Sequence, residues 1–420
     1  MPVITKLHAQ EILDSRGNPT VEVSCTLDGT HSSTAGVPSG ASTGIHEAVE
    51  LRDNDTKRYF GKGVLQAVEN VNTEIWNAVD GRAFITQREL DDLLIQLDGT
   101  PNKGRLGANA ILGVSLAFAR ASAKAAGQKL YEYFGSVSGN AKFSVPIPMM
   151  NIINGGKHAD SGLDLQEFML IPHEFPSFKE RLRAGSEIFH TLQKILHTEG
   201  FSTGVGDEGG FAPQLGANEK ALDMIVRAIQ EAGYTTEQVK IGLDVAASSF
   251  FKDGVYTCTI NGVDTKIDNA RLIEWYEELI KKYPIISIED PFAEDEWDAF
   301  AQFTKQAGSR IIIVGDDLLV TNVARITQAI EKNAVNAVLI KINQIGTISE
   351  TIDAISMTHS RGWKTVVSHR SGETADTSIA DLAVGTGSAM IKSGSLSRSE
   401  RVSKYDRLLE IEEEVEVSHI

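Results

Sequence analysis

Hydrophobic runs that end in a charged or polar residue recur through the second half of the chain. The clear ones read Ile241-Gly-Leu-Asp244, Ile285-Ile-Ser-Ile-Glu289-Asp290, Ile311-Ile-Ile-Val-Gly-Asp316-Asp317, Val338-Leu-Ile-Lys341 and Thr365-Val-Val-Ser-His369-Arg370, and a weaker run leads into Lys392. From Glu289 to Lys392 these terminal residues stand 27, 25, 28 and 23 positions apart. That spacing accommodates one strand, one helix and two loops, so it predicts parallel strands with crossover helices. In a closed barrel of such units the carboxyl ends of the strands share one face, where these charges would converge.

The first part of the chain has a different pattern. Residues Thr20 to Leu27 alternate and run into Asp28-Gly29, which predicts a hairpin with His31 to Thr34 as its return strand. A loop rich in glycine and serine follows, from Val37 to Gly44. Helical periodicity then extends from about Glu47 to Gly127. Strands followed by helices predict a small α+β domain here.

A short polar segment, Gly135-Ser-Val-Ser-Gly139-Asn140, predicts the connector between this domain and the strand-helix repeat. We therefore expect an N-terminal α+β domain of residues 1–134 and a C-terminal α/β barrel domain of residues 140–420. No near-identical internal repeat is visible, so the repetition is one of architecture.

Charge and cysteine content narrow the class of protein. The chain has 40 basic and 57 acidic residues, a net charge of −17, which disfavours nucleic acid or an anionic membrane as the main partner. Cys25 and Cys258 form no metal-binding spacing, which is typical of a reducing compartment. No secretory signal is visible at the N-terminus, and Arg120 and Lys124 interrupt the most apolar stretch. These observations predict a cytoplasmic protein without a membrane span.

Three acids at successive strand ends, Asp244, Glu289 and Asp316, offer oxygen donors without histidine or cysteine beside them. Magnesium prefers a few carboxylates together with water and substrate oxygens, so this set favours Mg²⁺ over zinc or copper. Each acid alone could instead be a capped or salt-bridged residue of the barrel. The three together, with Lys341 on the next strand, favour a metal site.

Lys341 ends an apolar strand, where burial and nearby divalent cations both disfavour a charged ammonium. The pKa of a lysine must fall well below about 10.4 for it to act as a base near neutral pH. One alternative is a lysine that pairs with a neighbouring aspartate and is inert. Another is the Schiff-base lysine of an aldolase, although imine chemistry needs no metal.

Two further acids lie in segments framed by glycine, Glu167 and Glu208, and we expect both to project from loops into the site. A carboxylic acid opposite a lysine base supplies the acid half of a proton-transfer pair. Arg370-Ser371 beside His369, with Lys392 on the following unit, offers a guanidinium fork, a hydroxyl and a point charge for an anionic group such as phosphate. His158 could reach the same place, although a histidine taken singly is more often structural.

Several longer motifs resemble those of the enolase family, in the family's order and across nearly the whole chain. They are Asp14-Ser-Arg-Gly-Asn-Pro-Thr-Val-Glu22, Ser39-Gly-Ala-Ser-Thr-Gly44, Met149-Met-Asn-Ile-Ile-Asn-Gly-Gly156, Gly206-Asp-Glu-Gly-Gly-Phe-Ala-Pro213, Ser287-Ile-Glu-Asp-Pro-Phe292, Lys341-Ile-Asn-Gln-Ile-Gly-Thr347 and Ser368-His-Arg-Ser-Gly-Glu-Thr374. The resemblance is to family members of the bacterial type. Ser249 stands where the family commonly has an acid, and Ser161 where asparagine is usual.

The resemblance implies a glycolytic lyase that reversibly dehydrates 2-phospho-D-glycerate to phosphoenolpyruvate. It implies Lys341 as the base at C2 and Glu208 as the acid at the C3 hydroxyl. Two Mg²⁺ ions per site are implied, the second binding with substrate. The roles of the remaining residues carry over by position: Glu167 supports Glu208; Gln166, Arg370, Ser371 and Lys392 bind the substrate; His158 and His369 line the pocket; Asp244, Glu289 and Asp316 hold the first ion; and Ser39, on a mobile loop, helps to hold the second.

The fold that the resemblance implies is an eight-stranded α/β barrel of the TIM type whose first strands depart from simple alternation, preceded by the small α+β domain. Family members usually form homodimers, or octamers in many bacteria, and a secondary surface or secreted pool is known among related bacterial proteins. Two rival functions remain. One is a related enzyme that removes a proton beside a carboxylate without phosphate recognition, and the other is a non-catalytic surface receptor for plasminogen.

Overall fold

The N-terminal region begins with a three-stranded antiparallel sheet in a computed structural model that describes residues 2–40, 44–159 and 161–417. Its strands are β1 (Ile4–Leu13), β2 (Pro19–Leu27) and β3 (His31–Gly36). Asp28 and Gly29 turn the chain between β2 and β3 with φ of 51° and 71°, the left-handed conformation that a tight hairpin requires. The predicted hairpin is confirmed. Residues 41–43 of the glycine and serine loop lie outside the described residues.

Helices complete this region. They are α1 (Leu65–Asn70), α2 (Trp76–Val79), α3 (Gln87–Asp98), α4 (Ala108–Ala125) and α5 (Leu130–Ser138). A π-helical turn, Val71–Ile75, joins α1 to α2, and a 3₁₀ turn covers Tyr59–Gly61. The apolar helix α4 packs against β2 and β3 and stops short of Gly127, whose φ of 66° ends it.

Two predicted boundaries in this region are wrong. The first long helix begins at Leu65 rather than near Glu47, because the Asp53 carboxylate accepts hydrogen bonds from the Leu65 and Gln66 amides, at 2.9 Å each, and so fixes the helix start. Residues 135–138, predicted as connector, are the last turn of α5. That helix ends at Gly139, with φ of 75°.

Strands and helices alternate in the rest of the described chain. The strands are β4 (Ile147–Asn154), β5 (Glu167–Pro172), β6 (Val239–Asp244), β7 (Phe251–Lys252), β8 (Val255–Ile260), β9 (Val263–Ile267), β10 (Ile285–Glu289), β11 (Ile312–Gly315), β12 (Ala337–Ile340), β13 (Lys364–Ser368) and β14 (Met390–Lys392). The helices are α6 (Phe178–Thr198), α7 (Asn218–Glu231), α8 (Asn269–Lys282), α9 (Trp297–Ala307), α10 (Val323–Lys332), α11 (Ile342–Ile345), α12 (Ile348–Ser360), α13 (Ser378–Gly385) and α14 (Ser399–Val417). Short 3₁₀ turns cover Gly156–His158 and Ala247–Phe250.

Eight of these strands close into a barrel in the order β10-β11-β12-β13-β14-β4-β5-β6, while β7, β8 and β9 form a separate small sheet. Neighbouring barrel strands are parallel except that β5 is antiparallel to both β4 and β6. The predicted barrel with irregular first strands is confirmed. Because β5 is reversed, its first residue lies at the end of the barrel where the other strands have their last.

Side-chain alternation divides the barrel core into two layers. Along β12, Val338 and Ile340 belong to the large cluster of buried residues that includes the helices, whereas Ala337 and Leu339 belong to a smaller cluster with Met149, Val366 and other inward residues of the strands. The interior of the barrel is therefore packed with side chains, and the charged residues are confined to its end. Among the described residues, no helix combines the length and apolar character needed to span a bilayer.

Asp91 provides a pH-dependent contact between the two regions. Its carboxylate is fully buried, accepts hydrogen bonds from the Ser349 amide (2.8 Å) and the Gln87 side chain (3.1 Å), and caps the start of α12. Burial raises the pKa of Asp91 to about 6. Because the pKa is raised, the stability that this group contributes is full at low pH and is lost as the pH rises through about 6.

We therefore expect Asp91→Asn to change the pH dependence of stability. Between pH 4.5 and 7.5 the free energy of unfolding of the parent should fall by about 2 kcal/mol relative to the variant, since the neutral amide does not titrate. Thermal melts of both proteins across this range measure the difference. A constant separation of the two Tm values would show that Asp91 does not titrate as its burial implies.

Candidate active site

The predicted strand-end charges meet at one end of the barrel. Asp244 and Glu289 are the last residues of β6 and β10 and are paired in register. Asp316, Lys341 and His369 directly follow β11, β12 and β13, and Lys392 ends β14. One pocket is lined by most of the predicted site residues and a few of their neighbours: His158, Gln166, Glu167, Glu208, Asp244, Ala246, Asp290, Asp316, Asp317, Lys341, Ser368, His369, Arg370, Ser371 and Lys392. Glu289 lies behind this surface, fully buried.

Lys392 is bound by three acids. Its Nζ lies 2.9 Å from Asp244 Oδ2, 3.0 Å from Glu289 Oε1 and 3.2 Å from Glu167 Oε1. Burial alone would lower the pKa of Lys392, but these carboxylates raise it well above its ordinary value. Lys392 is therefore a fixed cation between the carboxylates.

Lys341 forms an ion pair with Asp316 across the neighbouring strands. The Gln344 side chain donates to the other oxygen of Asp316 at 2.9 Å. Burial lowers the pKa of Lys341, yet the charges of Asp316, Asp317 and Glu289 together outweigh burial and the pKa is raised. The lysine-aspartate pairing considered from the sequence is thus present in this arrangement. The lowered pKa expected for Lys341 would require further positive charge close to Asp316.

Glu167 is on a strand rather than in the predicted loop, because it begins the reversed strand β5 and pairs in register with Asp244. Glu208 is in the predicted loop, before Gly209, whose φ is 86°. His158 Nδ1 lies 3.6 Å from a carboxylate oxygen of each glutamate, and Asn151 donates to Glu208 at 3.0 Å.

The two glutamates differ in charge. Burial and the charge of Glu208 raise the pKa of Glu167 well above its ordinary value. Burial also acts to raise the pKa of Glu208, but the imidazoles of His158 and His369 and the cations Arg401 and Lys392 favour its charged form and lower it well below the ordinary value. These opposite shifts favour a protonated Glu167 beside a charged Glu208.

Two sets of carboxylates at this end of the barrel could offer oxygen ligands to a divalent cation. Asp290, Asp316 and Asp317 can each offer an oxygen within 4.8 Å of the others. However, both oxygens of Asp290 accept backbone amides, those of Asp316 (2.9 Å) and Asp317 (2.7 Å), so Asp290 braces the loop. The set Asp244, Glu289 and Asp316 consists of buried oxygen donors without such backbone partners, apart from one amide on Asp244. Burial and the nearby charges of Asp244 and Asp316 raise the pKa of Glu289 well above its ordinary value, which fits a binding site for a cation.

The residues predicted to bind an anion lie where the N-terminal region meets the barrel. The Arg370 guanidinium forms a bidentate pair with the Glu47 carboxylate, through hydrogen bonds of 2.9 and 3.1 Å. It donates a further hydrogen bond to the Asn343 side chain at 2.9 Å. Ser39 and Gly372 exchange two backbone hydrogen bonds of 2.8 Å. Ser39 is buried, and its hydroxyl contacts Glu50 and Arg52 rather than the carboxylates of the strand ends.

Comparison with protein families agrees with this geometry. Residues 4–134 match the family model described as "Enolase, N-terminal domain", and residues 142–419 match "Enolase, C-terminal TIM barrel domain". The chain belongs to the enolase family. It is therefore an enolase-like lyase, a class that uses a divalent metal and a small-molecule substrate.

Several residues of this enolase-family site were missed by sequence reasoning. Asn151 and Asn343 lie inside motifs that carried the resemblance, so a role for them could have been considered. Glu47, the partner of Arg370, stands in a segment interpreted as helical. Arg401 is fully buried on α14 and contacts His369, and no local motif marks it.

Proposed function

We propose that this protein catalyses the reversible dehydration of 2-phospho-D-glycerate to phosphoenolpyruvate. One observation supports this most strongly: the lysine and the proton-holding glutamate pair lie across the pocket from each other. In the barrel order, β12, which Lys341 follows, stands four strands from β5, which begins with Glu167. A small substrate between them would meet a base on one side and an acid on the other.

In this proposal, the Lys341 Nζ takes the proton from C2, and the electron pair passes into the substrate carboxylate to give an enolate. That pair then forms the C2–C3 double bond as the C3 hydroxyl leaves. The proton held on Glu167 passes to Glu208, which donates it to the departing hydroxyl, and the group leaves as water. Arg370 and Ser371 bind the phosphate, Gln166 and Lys392 orient the substrate, and His158 and His369 line the pocket. In the reverse direction the same residues exchange their acid and base roles.

Magnesium is the proposed cofactor. One ion held by Asp244, Glu289 and Asp316 and a second that binds with substrate beside Ser39 would supply positive charge for the negative charge that develops on the substrate carboxylate. At about 4 Å and an effective dielectric constant near 20, each pair of unit charges is worth roughly 4 kcal/mol. The buried carboxylates of this site match the ligands that Mg²⁺ prefers.

The nearest rival is a family-related enzyme that acts beside a carboxylate without recognising phosphate. The Arg370-Ser371 pair and Glu208 favour the phosphorylated substrate. We also propose, on the family's behaviour alone, a glycolytic role in the cytoplasm as a homodimer or an octamer. We also propose the division into domains of residues 1–134 and 140–420, which is supported by family matches over residues 4–134 and 142–419.

Ultraviolet absorbance tests the proposed reaction. Adding 2-phosphoglycerate with Mg²⁺ should give a rise from the conjugated double bond of the product, and a chelator should abolish the rise. D-Glycerate, which lacks the phosphate, should give none. Folded protein that produces no rise with 2-phosphoglycerate would refute the proposal, and equal turnover of both compounds would favour the rival enzyme.

Gly40 should affect phosphate binding through Arg370. A Cβ placed on Gly40 would overlap the Arg370 guanidinium, with the Cζ only 2.8 Å away. We expect Gly40→Ala to raise the KM for 2-phosphoglycerate about tenfold, because an overpacked contact costs roughly 1–3 kcal/mol. Gly104→Ala is a matched control, since its Cβ meets only Asn102 within 3.1 Å. Equal KM values for the two variants and the parent would show that Arg370 does not depend on this contact.

A further inference from the structure

The C-terminal helix α14 contributes a fully buried arginine beneath the active site. Arg401 has no exposed surface, and its side chain contacts segments that are distant in sequence. Its Nη1 lies 2.6 Å from His369 Nδ1 and donates to the Arg370 carbonyl at 2.6 Å. Its Nη2 donates to the carbonyls of Ser371 (2.7 Å) and Asp207 (3.1 Å). One planar group thus holds the loop after β13 and the loop that carries Glu208.

These contacts differ from those of a stabilising ion pair. The carboxylate nearest to the Arg401 guanidinium among the described residues is Glu400, at 3.6 Å from Nε. The stronger hydrogen bonds all go to three backbone carbonyls and one imidazole. A planar guanidinium presents its donors in fixed directions, so these bonds hold the two loops in a defined relative position.

The contact with His369 determines where the imidazole proton lies. A guanidinium only donates hydrogen bonds, so His369 Nδ1 must accept, and the ring proton of the neutral imidazole is then on Nε2. His369 Nε2 faces Glu208 Oε2 at 3.6 Å. Burial lowers the pKa of His369 well below its ordinary value, which agrees with a neutral ring.

The backbone of Glu208 is held from the same side. The Glu208 carbonyl accepts a hydrogen bond from the Ser395 amide at 2.8 Å, and Arg401 binds the preceding carbonyl, that of Asp207. On the barrel side, Asn151 donates to the Glu208 carboxylate. Loss of the Arg401 guanidinium would therefore release both His369, which faces Glu208, and the turn that carries Glu208.

We propose that Arg401 is a positioning residue that holds His369 in the tautomer protonated on Nε2 and so fixes Glu208, the acid half of the site. This inference rests on the proposed function only for the role of Glu208. Lys341 lies on the other side of the barrel, and among the described residues it makes no hydrogen bond or ion pair with Arg401, so the base half should be spared. A merely structural arginine would affect both halves alike.

The tautomer can be measured in the parent protein without any substitution. With ¹⁵N labelling of the 10 histidines, the signals of His369 are assigned as those that disappear in His369→Asn. We expect an unprotonated Nδ1 and a protonated Nε2. A proton on Nδ1 would overturn the proposal whatever the activity of the protein.

Variants of Arg401 test the consequence for catalysis. In Arg401→Met and Arg401→Lys, dehydration should fall about 100-fold, as expected when a reacting group is misplaced by about 1 Å. Exchange of the C2 hydrogen of 2-phosphoglycerate with solvent should persist, because it needs only the base. The lysine variant keeps the charge and one donor, so it should fold even if the methionine variant does not.

Arg407→Met is the matched control. Arg407 lies on the same helix and binds Asp381 at 2.7 Å, outside the pocket, so its variant should lose stability but keep dehydration and exchange in the parental ratio. Arg401 variants that lose exchange and dehydration in equal proportion would overturn the proposal. A parent that neither exchanges nor dehydrates would instead refute the proposed function, and the tautomer would still decide the role of Arg401.

Discussion

Lys341→Ala should abolish measurable exchange of the C2 hydrogen of 2-phosphoglycerate with solvent and, with it, dehydration. The expected loss is about 10²–10⁴-fold, the usual contribution of a general base, and the full effect is seen in both rates because proton removal precedes the loss of water. Mass spectrometry of substrate recovered from D₂O measures the exchange, and absorbance measures the dehydration.

The loss must be distinguished from a loss of folding, because Lys341 also neutralises the buried Asp316. Lys103→Ala is the matched control, since the Lys103 side chain is also largely inaccessible, 4% exposed against 14% for Lys341, and pairs with Glu350 at 2.9 Å, outside the pocket. That variant should be less stable yet keep exchange. Parental exchange in a folded Lys341→Ala protein would show that another group is the base.

Glu208→Gln should separate the two halves of the reaction. Glutamine keeps the shape of the side chain but cannot pass a proton to the leaving hydroxyl, so dehydration should fall by about 10²–10⁴-fold. Exchange at C2 should continue, because Lys341 and the substrate carboxylate are untouched. The measurement is the ratio of exchange to dehydration, which should rise by the same factor.

Glu219→Gln controls for the loss of a buried carboxylate. Glu219 lies on α7, away from the pocket, and is 9% exposed. Its carboxylate accepts a hydrogen bond from the Trp275 indole at 3.1 Å. Its variant should leave the ratio unchanged. If Glu208→Gln lost exchange and dehydration together, Glu208 would have to act in substrate binding or in proton removal, and the division of roles proposed here would be wrong.

The strand-end charges were predictable from sequence because a strand, its loop and its terminal residue are consecutive. Asp244, Glu289, Asp316, Lys341, His369 and Lys392 needed only the repeat and the geometry of a barrel to be placed together. The fold as a whole was predictable for the same reason, and the family match confirms it.

Other features depend on contacts that no local pattern encodes. Glu167 was assigned to a loop because an apolar run does not reveal the direction of its strand, and only the pairing of β5 with Asp244 shows that it is reversed. The segment after Glu47 was interpreted as helical, although Glu47 is bound to Arg370, more than 300 positions away. Arg401 was missed because the partners of its stronger hydrogen bonds come from two loops that are far from it in sequence.

One experiment tests the central claim most directly, that this site removes a proton at C2 and water at C3. Proton NMR of 2-phosphoglycerate in D₂O with the protein and Mg²⁺ follows both events in one sample. We predict that the vinyl signals of phosphoenolpyruvate appear while the C2 proton signal of the remaining substrate disappears. Folded, magnesium-supplied protein that leaves the C2 proton in place and forms no vinyl product would contradict the account.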